Sequence, residues 1–222
     1  MPWIWPVENK FAELGRMIIR RTIFSLALIA LVLGGWSPAA QASESASRFV
    51  QQLGEQAINV LQDDGISLAQ REMQFRALLI EGFDLNLIGR FVLGRAWKTA
   101  DEGQRQNYLR AFGEFIVRKY SAMLGGYAGE TMTVVSEQAA GAKDILVHTR
   151  IDRPSGPAIE AHWRVRGQDG RRHIIDVMVE GISMAVTQRA EFKSVIRHHG
   201  IDGLIQILDA HSSKLSATAA AN

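Results

Sequence analysis

Apolar residues at Phe49, Leu53, Ala57, Val60 and Leu61 recur three and four apart and predict a helix over 47–61. Asp63-Asp64-Gly65 ends it. Ser67, with Gln70 three residues on, has the form of a capping box and opens a second helix through Leu79. Phe83, Leu87, Ile88 and Phe91 give a short third helix, in which Gly89 and Gly94 allow a bend or close packing. Thr99 and Glu102 repeat the capping signature. The helix after them carries Tyr108, Phe112, Phe115, Ile116, Tyr120 and Met123 on one broad face, the longest apolar helix of the chain, until Gly125-Gly126 stops it.

Beyond this point the period changes from helical to alternating. Met132–Val135 reads as a short strand and Ile145–Ile151 as a clearer one. Arg153-Pro154-Ser155-Gly156-Pro157 turns the chain. The next stretch sets Ile159, Ala161, Trp163 and Val165 against Glu160, His162, Arg164 and Arg166. Gly167-Gln168-Asp169-Gly170 makes a hairpin into Ile174–Val179, whose Val and Ile content favours a strand. Gly181 lets the chain turn, and Ser183 caps a helix towards His199. A final helix follows with Leu204, Ile207 and Leu208. The sum is an α+β domain: an antiparallel meander of about four strands with helices before and after it. His162, Arg164 and Arg166 are expected beside Asp176 and Glu180 on the neighbouring strand.

Composition changes this picture at the N-terminus. Arg16, Arg20 and Arg21 precede the apolar run Ile23–Leu33, and Ala40-Gln41-Ala42 has the small-x-small form of a cleavage site. The run is shorter than the roughly 20 residues a membrane span needs. Residues 1–42 therefore read as a signal peptide, of ordinary length if the chain starts at Met17, with a retained anchor as the alternative. Arg20-Arg21 has the form of a twin-arginine signal, but the residues after it fit general secretion better. Four of the 25 basic and two of the 23 acidic residues lie in this leader, which leaves 21 of each in 43–222. That balance offers no long-range attraction to nucleic acid or an anionic membrane. Residues 43–215 make one domain and 216–222 a flexible Ala-rich tail. With no cysteine, the exported chain relies on packing alone.

Candidate chemistry is sparse. His162, His173, Asp176 and Glu180 are the one catalytic-looking cluster. Asp176 and Glu180 share a strand face by parity, whereas His173 points the other way, so salt bridging explains the acids better than acid–base catalysis. His198 and His199 are adjacent on a helix and make a poor metal pair. Gly125-Gly126 and Gly129 lack the flanking features of a phosphate loop. Gly181-Ile182-Ser183-Met184-Ala185 lacks the last glycine of a hydrolase elbow. No catalytic residue, metal ligand or cofactor is assigned. On composition alone the surplus of apolar residues reads as a filled core.

Three blocks in order carry a family resemblance: Phe83-Asp84-Leu85 with Leu93-Gly94-Arg95-Ala96-Trp97, Phe112 and Tyr120; Asp176-Val177 with Glu180-Gly181-Ile182-Ser183, Arg189 and Phe192; and Gly200-Ile201-Asp202-Gly203-Leu204. Together they span roughly Phe49 to Leu215, and the chain resembles the MlaC (toluene-tolerance) family of periplasmic phospholipid carriers. Where that family has a Trp after the hairpin turn, this chain has Arg171-Arg172-His173. The resemblance implies an apolar pocket between sheet and helices, with Leu87, Phe91, Phe112, Phe115, Ile116, Val147, Trp163, Val165, Val177 and Val179 expected to line it. It also implies a monomeric periplasmic shuttle for phospholipid, or a hopanoid as in the related hopanoid-associated branch. Its partners would be an inner-membrane lipid ABC transporter and an outer-membrane lipoprotein complex. The alternative is a cone-shaped enzyme of the nuclear-transport-factor-like type using Asp176 or His162. The direction in which Asp176 points separates the two.

Overall fold

The structure, a computed structural model, describes residues 45–121, 129–168 and 170–221, with side chains as far as Lys214. The expected leader, the Gly125-Gly126 helix stop and Asp169 of the hairpin lie outside the described residues. The helices begin where short polar side chains can satisfy their first N–H groups. Ser45 accepts from Arg48 N at 3.1 Å to start α1, Ala46–Gln62. At α2, Leu68–Gly82, both halves of the capping box form: Gln70 N donates to Ser67 Oγ (3.2 Å) and Ser67 N to Gln70 Oε1 (2.9 Å). Asp84 starts α3, Leu85–Leu93, by accepting from Leu87 N.

The Thr99–Glu102 signature is displaced. Asp101 and Gln104 form the reciprocal pair (2.8 and 3.2 Å) that opens α5, Glu102–Ser121. Thr99 ends the short α4, Ala96–Thr99, and its hydroxyl donates back to Ala96 O, so it is not available as a cap.

Five antiparallel strands follow in the order β1 (Thr131–Ala139), β2 (Asp144–Asp152), β3 (Ile159–Gln168), β4 (Arg171–Val179) and β5 (Ile182–Ser183). This is the expected meander with a two-residue fifth strand. Glu180 and Gly181 join β4 to β5 with φ of 49° and 77°, the positive values that a tight two-residue hairpin needs. Glu180 tolerates this because its carboxylate accepts from Glu160 N (2.8 Å) while its own N–H donates to Glu160 O (3.0 Å). Two bulges interrupt the ladder, at Val135 on the edge strand β1 and at Ile175 on β4. On its outer side β4 is met at Ile174 by Phe83-Asp84, through a parallel bridge and a 3.1 Å bond from Asp84 N to Ile174 O.

The closing helices are one element, α6 (Met184–Ala221), broken at Gly200, where φ is 69° and ψ is −173°. Its backbone is helical as far as Ala221, where the sequence suggests a flexible tail, in keeping with the high helix propensity of alanine. Two hydrophobic cores result. One joins α3, α5 and α6 through Val92, Leu93, Tyr108, Phe112, Phe192, Leu204 and Leu208. The other packs Ala46 and Val50 of α1 on Val147, Val165 and Ile174 of the sheet.

Candidate functional site

Strand register decides which side chains share a face. Val147, Trp163 and Val177 stand in one row across β2, β3 and β4, with Ile145, Val165 and Ile174 in the next, and these rows face α1. The Trp163 indole N–H donates to Thr149 Oγ1 (2.9 Å), whose hydroxyl donates to Ala161 O (2.8 Å). The ring can therefore stand in apolar surroundings without stranding a polar group.

Above Trp163 lies a small cleft of about 100 Å³. Its walls are Val50, Leu53, Gly54 and Ala57 of α1, Phe75, Leu78 and Leu79 of α2, and Phe83, Trp163 and Ile174. No lining side chain is charged. The volume falls short of the roughly 300–1,000 Å³ of small-molecule sites, so a ligand enters only if a wall moves. The wall least held is α2, where Gly82 alone of its 15 residues is buried and Leu68, Met73 and Ile80 are 51%, 63% and 54% exposed. Gly82 is buried because a Cβ there would come within 2.6 Å of Leu53, which lets the C-terminal end of α2 sit close on α1.

A larger, open cavity of about 760 Å³ lies on the other side of α2, between it, α5 and the β3–β4 hairpin. Ile80, Leu109 and Val117 supply apolar surface, and Arg76, Arg110, Arg171, His173, Asp84 and Glu114 the charged and titratable groups. Phe83 lines both spaces. Arg76 bonds Glu114 at 2.7 Å, tying α2 to α5, and this bond is the main reason the Glu114 carboxyl is held below its usual range.

Most of the expected pocket residues divide between the two cores, and Leu87, Phe91 and Val179 lie in neither. Trp163 lines the small cleft, Val147, Val165 and Val177 pack in the core beneath it, and Val179 stands opposite Ala161 further along the sheet. Phe112, Phe115 and Ile116 are not across from them. Phe112 is fully buried, 5.8 Å from Tyr108 and 6.2 Å from Phe192 between ring centroids, and Phe115 and Ile116 pack on the same helical core. The physical reason is that α5 turns its broad face to α3 and α6, where Tyr108 also donates to Gly89 O. Leu87 is half-buried on α3, and Phe91 is 43% exposed under the Arg189 guanidinium, 4.9 Å from its ring centre. The helical lining of the cleft (Leu53, Phe75, Leu78, Leu79, Phe83) is not among the pocket residues expected from the sequence. The stripe of α1 was visible in the sequence, whereas the apolar residues of α2 are spread around its axis.

Asp176 is aligned with Arg164 and His173 with Arg166, because the bulge at Ile175 brings both onto the arginine face, His173 included. The expected pairing of Asp176 with these arginines does not form. Both arginines reach the other way to buried Asp144 on β2, Arg164 Nε at 2.9 Å and Arg166 Nε at 2.6 Å, and the Arg166 bond foremost lowers the Asp144 pKa. Asp176 instead accepts from Ser183 Oγ (2.6 Å) and Ala185 N (3.1 Å), and Ser183 in turn accepts from Val186 N. This acid caps α6 from the face opposite Trp163 and Val177.

The family model described as MlaC protein matches residues 51–210. The chain is 24% identical over 201 residues to the intermembrane phospholipid transport system binding protein MlaC of Haemophilus influenzae, covering 87% of this chain and 92% of that one. It superposes with a TM-score of 0.68 and 21% identity on a phospholipid-binding protein of Ralstonia solanacearum solved in complex with a phospholipid. That match spans 78% of this chain and 99% of that one.

Proposed function

The chain belongs to the MlaC family, and from that premise we propose that it is a periplasmic phospholipid carrier, a binding protein and not an enzyme, that takes acyl chains into the cleft beneath α2. The observation that carries this is the uncharged cleft between α1, α2 and Trp163, roofed by a helix with one buried residue. Each methylene transferred from water into such a space contributes about 0.8 kcal/mol, so a long chain binds tightly with no charged anchor. A bound chain needs α2 to lift, and a helix with one buried residue in fifteen is the element suited to do so.

Support for the compartment is the leader pattern ending at Ala42, together with the absence, among the described residues, of any helix long and apolar enough to cross a membrane. The relative's place in an intermembrane transport system supports a shuttle between an inner-membrane ABC transporter and an outer-membrane lipoprotein complex. A polycyclic hopanoid is a second ligand class for the same apolar cleft. The enzyme alternative has little left to use, since the Asp176 carboxylate is engaged as a helix cap.

The test is native mass spectrometry of the protein purified from the periplasm, followed by extraction of any bound lipid. A one-to-one phospholipid complex is expected. Protein that emerges lipid-free and extracts nothing from vesicles would refute the carrier.

A further inference from the structure

Three arginines among the described residues line the larger cavity, and two of them are already engaged. Arg76 is paired with Glu114 at 2.7 Å, and Arg110 meets both carboxylate oxygens of Asp209, at 3.1 and 3.0 Å. The remaining acid of the lining, Asp84, accepts from Leu87 N at 2.8 Å at the start of α3. Arg171 stands apart. It is exposed at the first position of β4, and among the described residues its side chain has no hydrogen bond or ion pair. His173, two residues on, lines the same wall, and its side chain is likewise without a hydrogen bond or ion pair among them.

We infer that this cavity is the seat of the phosphate of a lipid whose chains occupy the adjoining cleft, with Arg171 as the cation that pairs with it and His173 as a second polar contact. The inference rests on the carrier reading and adds to it a choice of headgroup chemistry. Three observations converge. Phe83 lines both spaces, so one amphipathic molecule passing that ring has its chains on one side and its polar end on the other. The larger space, about 760 Å³, is of ligand-site size, and Ile80, Leu109 and Val117 give it the apolar surface that the ester region of a lipid needs. Arg76 and Arg110 are each engaged by a carboxylate, whereas the Arg171 guanidinium has no partner among the described residues and is available to a phosphodiester, which carries one negative charge. A guanidinium matches two phosphate oxygens in a planar fork, which a lone ammonium does not.

The experiment offers the lipid-free protein vesicles of phosphatidylcholine that carry either dioleoylphosphatidylglycerol or dioleoylglycerol, two lipids with the same chains, one with and one without a phosphate. Loading is read by mass spectrometry. Wild type is expected to load the phospholipid about fivefold better than dioleoylglycerol, the equivalent of about 1 kcal/mol for an exposed charge pair. Arg171→Gln should lose that preference while loading dioleoylglycerol as wild type does, and Arg171→Lys should keep part of it. Arg171→Gln that retains the full preference, or wild type that shows none, overturns the assignment while leaving the carrier intact. Uptake of no lipid at all, phosphatidylcholine included, overturns the carrier reading and this inference with it. Saturable binding of glycerol 3-phosphate by the lipid-free protein at micromolar concentration would make the seat one for a free phosphate ester and would also overturn it.

Discussion

Asp176 shows how a residue's partner decides its role. Its carboxylate accepts from Ser183 Oγ and Ala185 N, so Asp176→Ala leaves the first turn of α6 with a lost acceptor. The expected cost is about 1–2 kcal/mol, read as a lower urea midpoint, with lipid loading by the folded variant unchanged. A loss of loading without loss of stability would return Asp176 to the functional site. Asp144 acts on the pH axis. Its pKa and that of Glu114 are lowered, foremost by bonds from Arg166 and Arg76. A depressed carboxyl stabilises the fold at pH above its unfolded value, about 3.9 for Asp and 4.3 for Glu, and that stabilisation is lost as pH falls through the lower folded values. Stability measured by urea denaturation should therefore be flat above about pH 5 and fall steeply below about pH 4, and Asp144→Asn should flatten part of the fall. The sequence displayed Arg164 and Arg166 plainly. It could not display their partner, because Asp176 and Asp144 flank β3 on opposite sides and only the register of the ladder chooses between them.

At the scale of elements, the helix starts at Ser67 and Ser183 and the alternating strands were legible, because capping and pleat leave local marks. The bulge at Ile175 was not. It adds one residue to β4 and carries His173 onto the same face as Asp176, contrary to simple parity. Nor was the seat of α5, since a broad aromatic face fits a helical neighbour as well as a sheet. On the carrier reading proposed above, the element that matters most for loading is α2, fastened to α5 by Arg76–Glu114. Glu114→Gln should weaken that fastening. Amide exchange in 68–82 should quicken by about two- to fivefold, while exchange in α1 stays as it was. Equal rates in α2 would mean the pair does not hold it. Phe75→Glu places a carboxylate on the cleft wall of the same helix, where a buried unpaired charge is costly. The variant should keep its circular dichroism and lose most of its bound lipid. Normal lipid content would remove α2 from the site.

The described residues form two cores, one of α3, α5 and α6 and one of α1 on the sheet, and of these only the second borders the cleft. Loading should therefore raise protection from exchange in α1, α2 and β4 and leave the second half of α6 nearly unchanged, a contrast readable by comparing lipid-free and loaded protein. Uniform protection throughout would mean that the cores act as one. The roof over the cleft has a further consequence for delivery. A chain held under α2 forms part of the second core while it is aboard, so letting it go into water re-exposes its methylenes, at about 0.8 kcal/mol each, together with the walls it covered. On the proposed reading, spontaneous escape is slow for that reason. Handover is quick only where a receiving surface, a bilayer or another protein's groove, covers each methylene as it emerges. Retention in transit and release on contact then need no separate trigger, because both follow from a cargo that doubles as packing.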